Sequence, residues 1–240
     1  MQLMDKVFTY KAAASEILPA IDIARVMGYD ENDVPEPFAG IIKESVAHAN
    51  SLLEARAFIR IVEAPVFEKQ NHGMMVQEQE FCLENVVFNM LKRSASVAFF
   101  ICTIGPDLPE VIHEQSADGD LLAAYVYDIL GTLSVESAMD VFQARFKAEM
   151  AGWQLNITNR YSPGYCNWDI KEQELLFKVT GDDFTGVKLS TSCLMQPIKS
   201  ISGIIGIGEN VKFNRYTCSR CDQKDCLYAS IKADGRAGVI

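Results

Sequence analysis

The sequence Val97-Ala-Phe-Phe-Ile-Cys-Thr-Ile104 is apolar apart from one threonine, and it ends at the pair Gly105-Pro106. A short apolar run rich in β-branched and aromatic residues predicts a buried strand. Glycine followed by proline is a strong break in regular structure, so the strand is expected to end there. We therefore expect a sheet that buries this strand.

The clearest helical pattern covers Asp120–Met150. Its apolar stripe recurs at spacings of four, three and four, on Leu122, Val126, Ile129 and Leu133. Glu136 and Asp140 continue the same face of the helix. Two interpretations are open: the stripe ends and both carboxylates meet solvent, or one of them points into a polar ligand pocket at the end of the core.

Shorter patterns surround these two elements. Helices are predicted at Ala12–Met27, Phe38–Ala55, Leu83–Lys92, Asp107–Gln115 and Lys171–Lys178. Strands are predicted near residues 57–63, 74–82, 155–158, 187–192 and 202–207, with Phe213–Tyr216 extending the sheet. Early helices followed by irregularly alternating strands favour an α+β fold over a doubly wound one.

Composition excludes several functions. The chain of 240 residues carries a formal net charge of −10, which argues against binding to nucleic acid or to an anionic membrane surface. No apolar stretch approaches the roughly 20 residues of a spanning helix. Met1–Tyr10 does not have the pattern of a signal peptide. Seven cysteines without an export signal indicate reduced thiols and a cytoplasmic protein.

Familiar nucleotide and metal motifs are missing from most of the chain. No glycine-rich phosphate loop is present. The glycines of Gly203-Ile-Ile-Gly206-Ile-Gly208 lie within an apolar run, so we expect them to serve close strand packing or a bend. His48, His72 and His113 lack a ligand partner at helical spacing and are interpreted as ordinary surface or core residues.

The segment Asn159–Cys166 combines a cation, a rigid turn and an aromatic ring. Arg160 can bind a carboxylate through its planar fork. Gly164, after a proline, allows a ligand to approach the main chain, and Tyr165 offers both a ring face and a hydroxyl. The alternative is a plain turn with a surface arginine.

A second segment about thirty residues later gives these residues a context. The first motif reads Arg160-x-x-Pro163-Gly164-Tyr165, and the second carries Thr191, Met195, Pro197, Ser200, Ser202 and Gly203. Together with the strand Ala98–Gly105, they resemble the activation (reactivation) domain of cobalamin-dependent methionine synthase. Cys193 stands where that family has a serine. The resemblance covers roughly residues 80–210.

The resemblance implies a fold and a division of the chain. It implies a twisted, mainly antiparallel sheet flanked by helices. The residue patterns and the resemblance together predict a helical segment at 1–56, an activation-domain-like core at 57–210 and a cysteine-containing extension at 211–240, all in one compact domain. Phe213-Asn214 stand where the family has paired tyrosines.

The resemblance also implies a function. The family's domain binds S-adenosylmethionine and supports the reductive remethylation of cob(II)alamin, with an electron from flavodoxin or ferredoxin. By resemblance, Arg160 binds the ligand's carboxylate, Glu136 approaches its ammonium group, and the backbone at Ser162 and Gly164 reads the adenine. Tyr165 matches the tyrosine that faces the corrin. The cobalamin is then held by a partner, a methionine synthase or related methyltransferase.

Three cysteines near the end form a separate feature. Cys218, Cys221 and Cys226 have the spacing C-x2-C-x4-C, a moderate metal signal. A fourth ligand, normally required, would be Cys166 or Cys193. An iron–sulfur cluster, structural zinc, and unligated thiols or a disulfide remain as alternatives. This feature supports a rival hypothesis, in which the chain is a non-catalytic metal-binding interaction module of corrinoid metabolism.

Overall fold

The computed structural model describes residues 5–18, 22–30, 33–181 and 184–214. Within these residues the strands are β1 (Val7–Ala12), β2 (Ala55–Glu63), β3 (Val66–Glu68), β4 (Gly73–Val76), β5 (Gln79–Cys82), β6 (Ser96–Thr103), β7 (Asn156–Tyr161), β8 (Lys188–Leu189), β9 (Met195–Gln196) and β10 (Ser200–Gly208). The helices are α1 (Ala14–Ile17), α2 (Ile23–Val26), α3 (Phe38–Leu52), α4 (Glu84–Leu91), α5 (Asp107–Ala117), α6 (Leu121–Gly152) and α7 (Glu172–Thr180).

Strand β6 lies at the centre of a five-stranded sheet with the order β1-β2-β6-β10-β7. Each pair of neighbouring strands is antiparallel. All eight residues of β6 are buried, which explains why its sequence shows no polar alternation. The prediction of an α+β fold with a mainly antiparallel sheet flanked by helices is confirmed.

The two faces of the sheet have separate cores. Ala98, Phe100 and Cys102 of β6 face the core that contains the apolar stripe of α6. Val97, Phe99 and Ile101 face the opposite core, with side chains from the hairpin strands, α4 and α7. Because side chains alternate along a strand, one apolar run supplies both cores. Among the described helices, none has the length and apolar content needed to cross a bilayer.

Helix α6 begins at a conventional cap and is fixed to the sheet near its first turns. The Asp120 carboxylate accepts a hydrogen bond from the Ala123 amide at 3.0 Å. Lys199, just before β10, donates from Nζ to the Asp128 carboxylate at 2.6 Å and to the Thr132 hydroxyl at 3.0 Å. A Cβ on Gly131 would lie 3.0 Å from the Lys199 Cε, so the glycine makes room for the lysine stem.

The helical segment predicted at 1–56 is wrong at its start, where β1 pairs with β2 at the edge of the sheet. Among the described residues, the helix predicted at Ala12–Met27 is present as the short α1 and α2, and α3 follows. Phe8 and Tyr10 alternate with exposed residues along β1. The Phe8 ring packs edge-on against Phe146 of α6, and the Tyr10 ring stacks on Phe142 of α6. That period of two was the missed signal.

Other predicted elements are shorter or divided. The strand expected at 74–82 is the hairpin β4–β5, and the strand expected at 187–192 is reduced to β8. Phe213 and Asn214 are not in a strand, and the rest of Phe213–Tyr216 lies outside the described residues. The division at residues 56 and 210 stays a prediction.

The glycines of β10 serve close packing, as predicted. A Cβ on Gly203 would lie 2.3 Å from the Tyr161 carbonyl oxygen of β7. A Cβ on Gly206 would lie 2.1 Å from the Ser94 hydroxyl, and the pairing of β10 with β7 shifts between Ile205 and Ile207. The first glycine therefore permits the β7–β10 contact, and the second lies within the bulge.

Gly203→Ala is expected to lower the free energy of unfolding by about 2 kcal/mol or more, because the obstructing atom belongs to the backbone and cannot rotate away. The measurement is the urea midpoint followed by circular dichroism. Gly152→Ala is the control: no atom lies within 4 Å of the new Cβ, and the residue is in the last turn of α6. This control should be neutral or slightly stabilising. Equal midpoints for Gly203→Ala and the wild type would contradict the packing role.

Candidate functional site

Arg160 lies near the end of edge strand β7, opposite Ile205 of β10. Its Nη2 donates to Glu136 Oε2 at 2.8 Å, and its Nη1 donates to Gln143 Oε1 at 2.9 Å and to Asp140 Oδ1. The three acceptors are spaced four and three residues apart on α6 and so share one face of the helix. The sheet and its long helix are thus joined here by a charged network.

This network changes the interpretation of the carboxylates at the end of the apolar stripe. Glu136 and Asp140 are both paired with Arg160 and are not simply left to solvent. The side chains of Arg160, Glu136 and Asp140 are 17%, 27% and 18% exposed. They are therefore covered enough to interact strongly, and open enough to be reached from outside.

The carboxylates keep the guanidinium charged. Burial alone would lower the pKa of Arg160, but Asp140 and Glu136 together raise the pKa of Arg160 above its usual value through charge and hydrogen bonds. Two carboxyl groups face one guanidinium. With both carboxyl groups ionised, the three side chains carry a net charge of −1.

Arg160 keeps part of its binding capacity. A guanidinium has five N–H donors, and the bonds to Glu136, Asp140 and Gln143 use three of them. Within the described part of the chain, the Arg160 Nε makes no hydrogen bond. Nε–H and one Nη2–H remain, which is the number of donors needed to bind an added carboxylate in a bidentate manner.

The turn after β7 is closed by its own backbone. Gly164 has a φ of +91°, and its N–H donates to the Trp168 carbonyl at 2.7 Å. The Tyr165 N–H donates to the Ser162 carbonyl at 3.2 Å. Trp168 is 1% exposed and anchors the turn in the core. Gly164 therefore serves the left-handed conformation, as the sequence predicts for a turn.

Tyr165 is 68% exposed, the most open large ring next to the Arg160 strand. The backbone groups predicted to contact adenine are already partly used, because the Gly164 N–H and the Ser162 carbonyl form hydrogen bonds within the turn. These residues stay predicted ligand contacts. Tyr165 stays a predicted contact to the corrin.

The structure brings one further segment to the site. Asn159, next to Arg160, donates from Nδ2 to the Asn214 carbonyl at 2.6 Å, and its Oδ1 accepts from the Asn214 N–H at 2.8 Å. The Phe213 ring lies 4.7 Å from Lys147 Nζ of α6. Asn214 is therefore held beside Asn159, the neighbour of Arg160 in β7, and Phe213 lies beside α6.

Other motif residues have structural roles. The Ser200 hydroxyl donates to the Pro197 carbonyl at 2.7 Å and forms a second hydrogen bond, at 2.9 Å, with the Thr103 hydroxyl, which ties the start of β10 to the end of β6. Ser202 is 2% exposed. Gln143 was not among the predicted site residues, although its spacing from Glu136 and Asp140 places it on their face of α6. That spacing was the available signal.

The predicted metal ligands Cys218, Cys221 and Cys226 lie outside the described residues. In the described ranges, no group of three or more potential ligands could hold a metal ion. Cys193 Sγ lies 3.7 Å from Glu174 Oε1, and its role as a fourth ligand, like that of Cys166, stays a prediction. Cys102 is fully buried, and burial raises the pKa of its thiol, which makes it unreactive.

The fold and the site define an α+β domain in which an arginine of the edge strand pairs with carboxylates of the long helix. A family model described as vitamin B12 dependent methionine synthase, activation domain, matches residues 54–232. This match spans most of the chain, and the chain belongs to that family.

A solved structure agrees with this assignment. The crystal structure of the MetH reactivation domain bound to AdoHcy matches with a TM-score of 0.60 and 13% sequence identity. The match covers 88% of this chain and 81% of that chain. At this identity the likeness shows the fold alone. A search of curated proteins finds no match.

Replacing Arg160 by methionine is expected to lower the free energy of unfolding by about 2–4 kcal/mol, because two partly buried carboxylates lose their cation. Adding Glu136→Gln and Asp140→Asn to Arg160→Met should recover part of this loss. Thermal and urea unfolding measure the stability loss in Arg160→Met and its recovery in the triple variant. The control is Arg145→Met on α6, which breaks an exposed pair with Glu16 of α1 and should cost less. No recovery in the triple variant would contradict the charge explanation.

Proposed function

We propose that the chain binds S-adenosylmethionine and supports the reductive remethylation of cob(II)alamin on a partner corrinoid methyltransferase, methionine synthase by family. Family membership supports the reactivation role in general. The observation that carries the ligand proposal is the Arg160 guanidinium, which is charged and, among the described residues, has two donors left for a carboxylate. The related reactivation domain bound to AdoHcy is consistent with it.

The ligand's amino-acid end is placed at the Arg160 network. Its carboxylate would accept from Nε and Nη2 of Arg160, and its ammonium group would lie against Glu136. The backbone at Ser162 and Gly164 would border the adenine. In this arrangement the pair to Glu136 holds the guanidinium in place before the ligand arrives, which reduces the ordering cost of binding.

Tyr165 would face the partner. Its 68% exposed ring lies on a turn anchored by Trp168, so it can contact a docked corrin without rearrangement of the domain. The partner's cobalamin supplies the metal centre that accepts the methyl group. In the overall reaction, one electron and the methyl group of S-adenosylmethionine convert cob(II)alamin to methylcobalamin, and S-adenosylhomocysteine is the product.

The chain itself performs no bond chemistry in this proposal. It holds the methyl donor in a fixed orientation, so that docking brings donor and acceptor together. The electron would come from flavodoxin or ferredoxin in the cytoplasm. Because the chain carries a net charge of −10, an acidic donor would need a local basic surface to approach.

The rival hypothesis is a non-catalytic metal-binding interaction module. It rests on Cys218, Cys221 and Cys226 alone, with iron–sulfur or zinc as the metal. Iron, sulfide and zinc analysis after anaerobic purification tests it directly. A metal content that persists when S-adenosylmethionine does not bind would favour the rival.

Arg160→Ala is expected to weaken S-adenosylmethionine binding by at least 30-fold, because it removes the charged fork for the carboxylate. Titration calorimetry measures the affinity. Arg145→Ala is the matched control: it removes an arginine from α6 that pairs with Glu16 and donates to the Lys11 carbonyl. Circular dichroism checks that both variants fold. Wild-type protein that fails to bind, even with the corrinoid partner present, would refute the ligand proposal.

Tyr165→Ala is expected to leave S-adenosylmethionine affinity within about twofold and to slow methylcobalamin formation, since the ring is exposed and assigned to the partner side. The assay mixes the protein with cob(II)alamin-loaded synthase and a reductant, with and without S-adenosylmethionine, and follows absorbance. Tyr125→Ala removes another exposed tyrosine, on α6, and serves as control. An unchanged rate in Tyr165→Ala would remove the corrin contact from the proposal.

A further inference from the structure

Gln143 is the uncharged member of the Arg160 network, and it is 5% exposed. Both ends of its amide are used. Its Oε1 accepts from Arg160 Nη1 at 2.9 Å, and its Nε2 donates to the Thr158 carbonyl at 3.4 Å. Only this orientation of the amide suits both partners, because the reverse orientation would place a donor against the guanidinium. The glutamine therefore connects α6 to two residues of the edge strand β7.

The carbonyl that holds Gln143 belongs to a residue with a fixed position. The Thr158 hydroxyl accepts from the Gly206 N–H at 2.9 Å and donates to the Asn159 carbonyl at 2.7 Å. Gly206 lies within the bulge of the β7–β10 pairing. A continuous series of hydrogen bonds thus runs from β10 through Thr158 and Gln143 to Arg160. The amide oxygen is placed by the sheet as well as by the helix.

This placement affects the direction of the guanidinium. The two N–H groups of Arg160 Nη1 are bonded to Gln143 and Asp140, and Nη2 is bonded to Glu136. Because the guanidinium is a rigid plane, bonds at Nη1 and Nη2 also fix the direction of the Nε–H. Without the Gln143 oxygen, one buried Nη1–H would lose its acceptor, and the plane could tilt to recover a bond elsewhere.

We propose that Gln143 is a positioning residue for ligand binding. Its amide oxygen holds Arg160 Nη1 and so keeps the Nε edge of the guanidinium directed at the ligand's carboxylate. This inference rests on the proposed function. An uncharged acceptor suits the position, because Glu136 and Asp140 already pair with this guanidinium. A third carboxylate there would repel the ligand's carboxylate, whereas the amide orients the cation without adding negative charge.

The proposed role predicts an effect on one part of the ligand only. Decarboxylated S-adenosylmethionine keeps the adenosine, the sulfonium and the ammonium group but has no carboxylate. If Gln143 acts through Arg160, its replacement weakens the ligand that carries the carboxylate and leaves the decarboxylated ligand unaffected. General damage to the site would weaken both ligands together. The ratio of the two affinities therefore separates positioning from a merely structural role.

The test is titration calorimetry with both ligands. Gln143→Met should weaken S-adenosylmethionine binding by about tenfold, through the loss of one hydrogen bond to a charged group. Gln143→Glu, of nearly the same size as the wild type, should weaken it at least as much by repulsion. Neither variant should weaken the decarboxylated ligand by more than about twofold. The control is Ser137→Ala, which removes another buried α6 side chain, bonded to the Ile17 carbonyl, and should leave the ratio unchanged.

A double-mutant cycle gives a second measurement. In an Arg160→Ala background, Gln143→Met should change S-adenosylmethionine affinity by less than about twofold, because the group that it positions is gone. Circular dichroism checks the folding of each variant. An unchanged S-adenosylmethionine affinity in folded Gln143→Met, or an equal loss for both ligands, would overturn the role of Gln143. Wild-type protein that binds neither ligand would instead refute the proposed function.

Discussion

The contact between Arg160 and the carboxylates of α6 is the interaction on which the site depends. It joins the edge strand β7 to the longest helix across 17–24 residues of sequence. Without the guanidinium, Glu136 and Asp140 would repel each other on one face of the helix, at a partly covered position. The same contact keeps the arginine charged and fixed. Stability and the proposed ligand recognition would therefore use one network.

The network also suits the proposed binding of a small zwitterion. Asp140 and Gln143 hold one side of the guanidinium, which leaves the Nε side for a ligand. The turn at Ser162–Trp168 closes on its own backbone and buries Trp168, so its position does not depend on a ligand. The turn is thus formed without a ligand, which suits the proposed docking of a partner.

The sequence predicted the elements that carry their own periodicity. The buried strand β6, the stripe of α6 and the turn at Gly164 are each visible within a few residues. Strand β1 was missed because residues 1–56 were expected to be helical, and the alternation of Phe8 and Tyr10 with exposed residues covers only 6 residues. The pairing of Arg160 with Glu136 and Asp140 has no local signal, because it arises only when β7 packs beneath α6.

Lys199 and Arg160 together determine the rotational phase of α6. Both cations come from the sheet side and both meet carboxylates of the helix, at Asp128 and at Glu136 with Asp140. A turn of the helix by one residue, about 100°, would break both contacts at once. The rotation of α6 about its axis is therefore specified by two contacts. A ligand bound to Arg160 Nε, as proposed, would leave the contact between Lys199 and Asp128 intact.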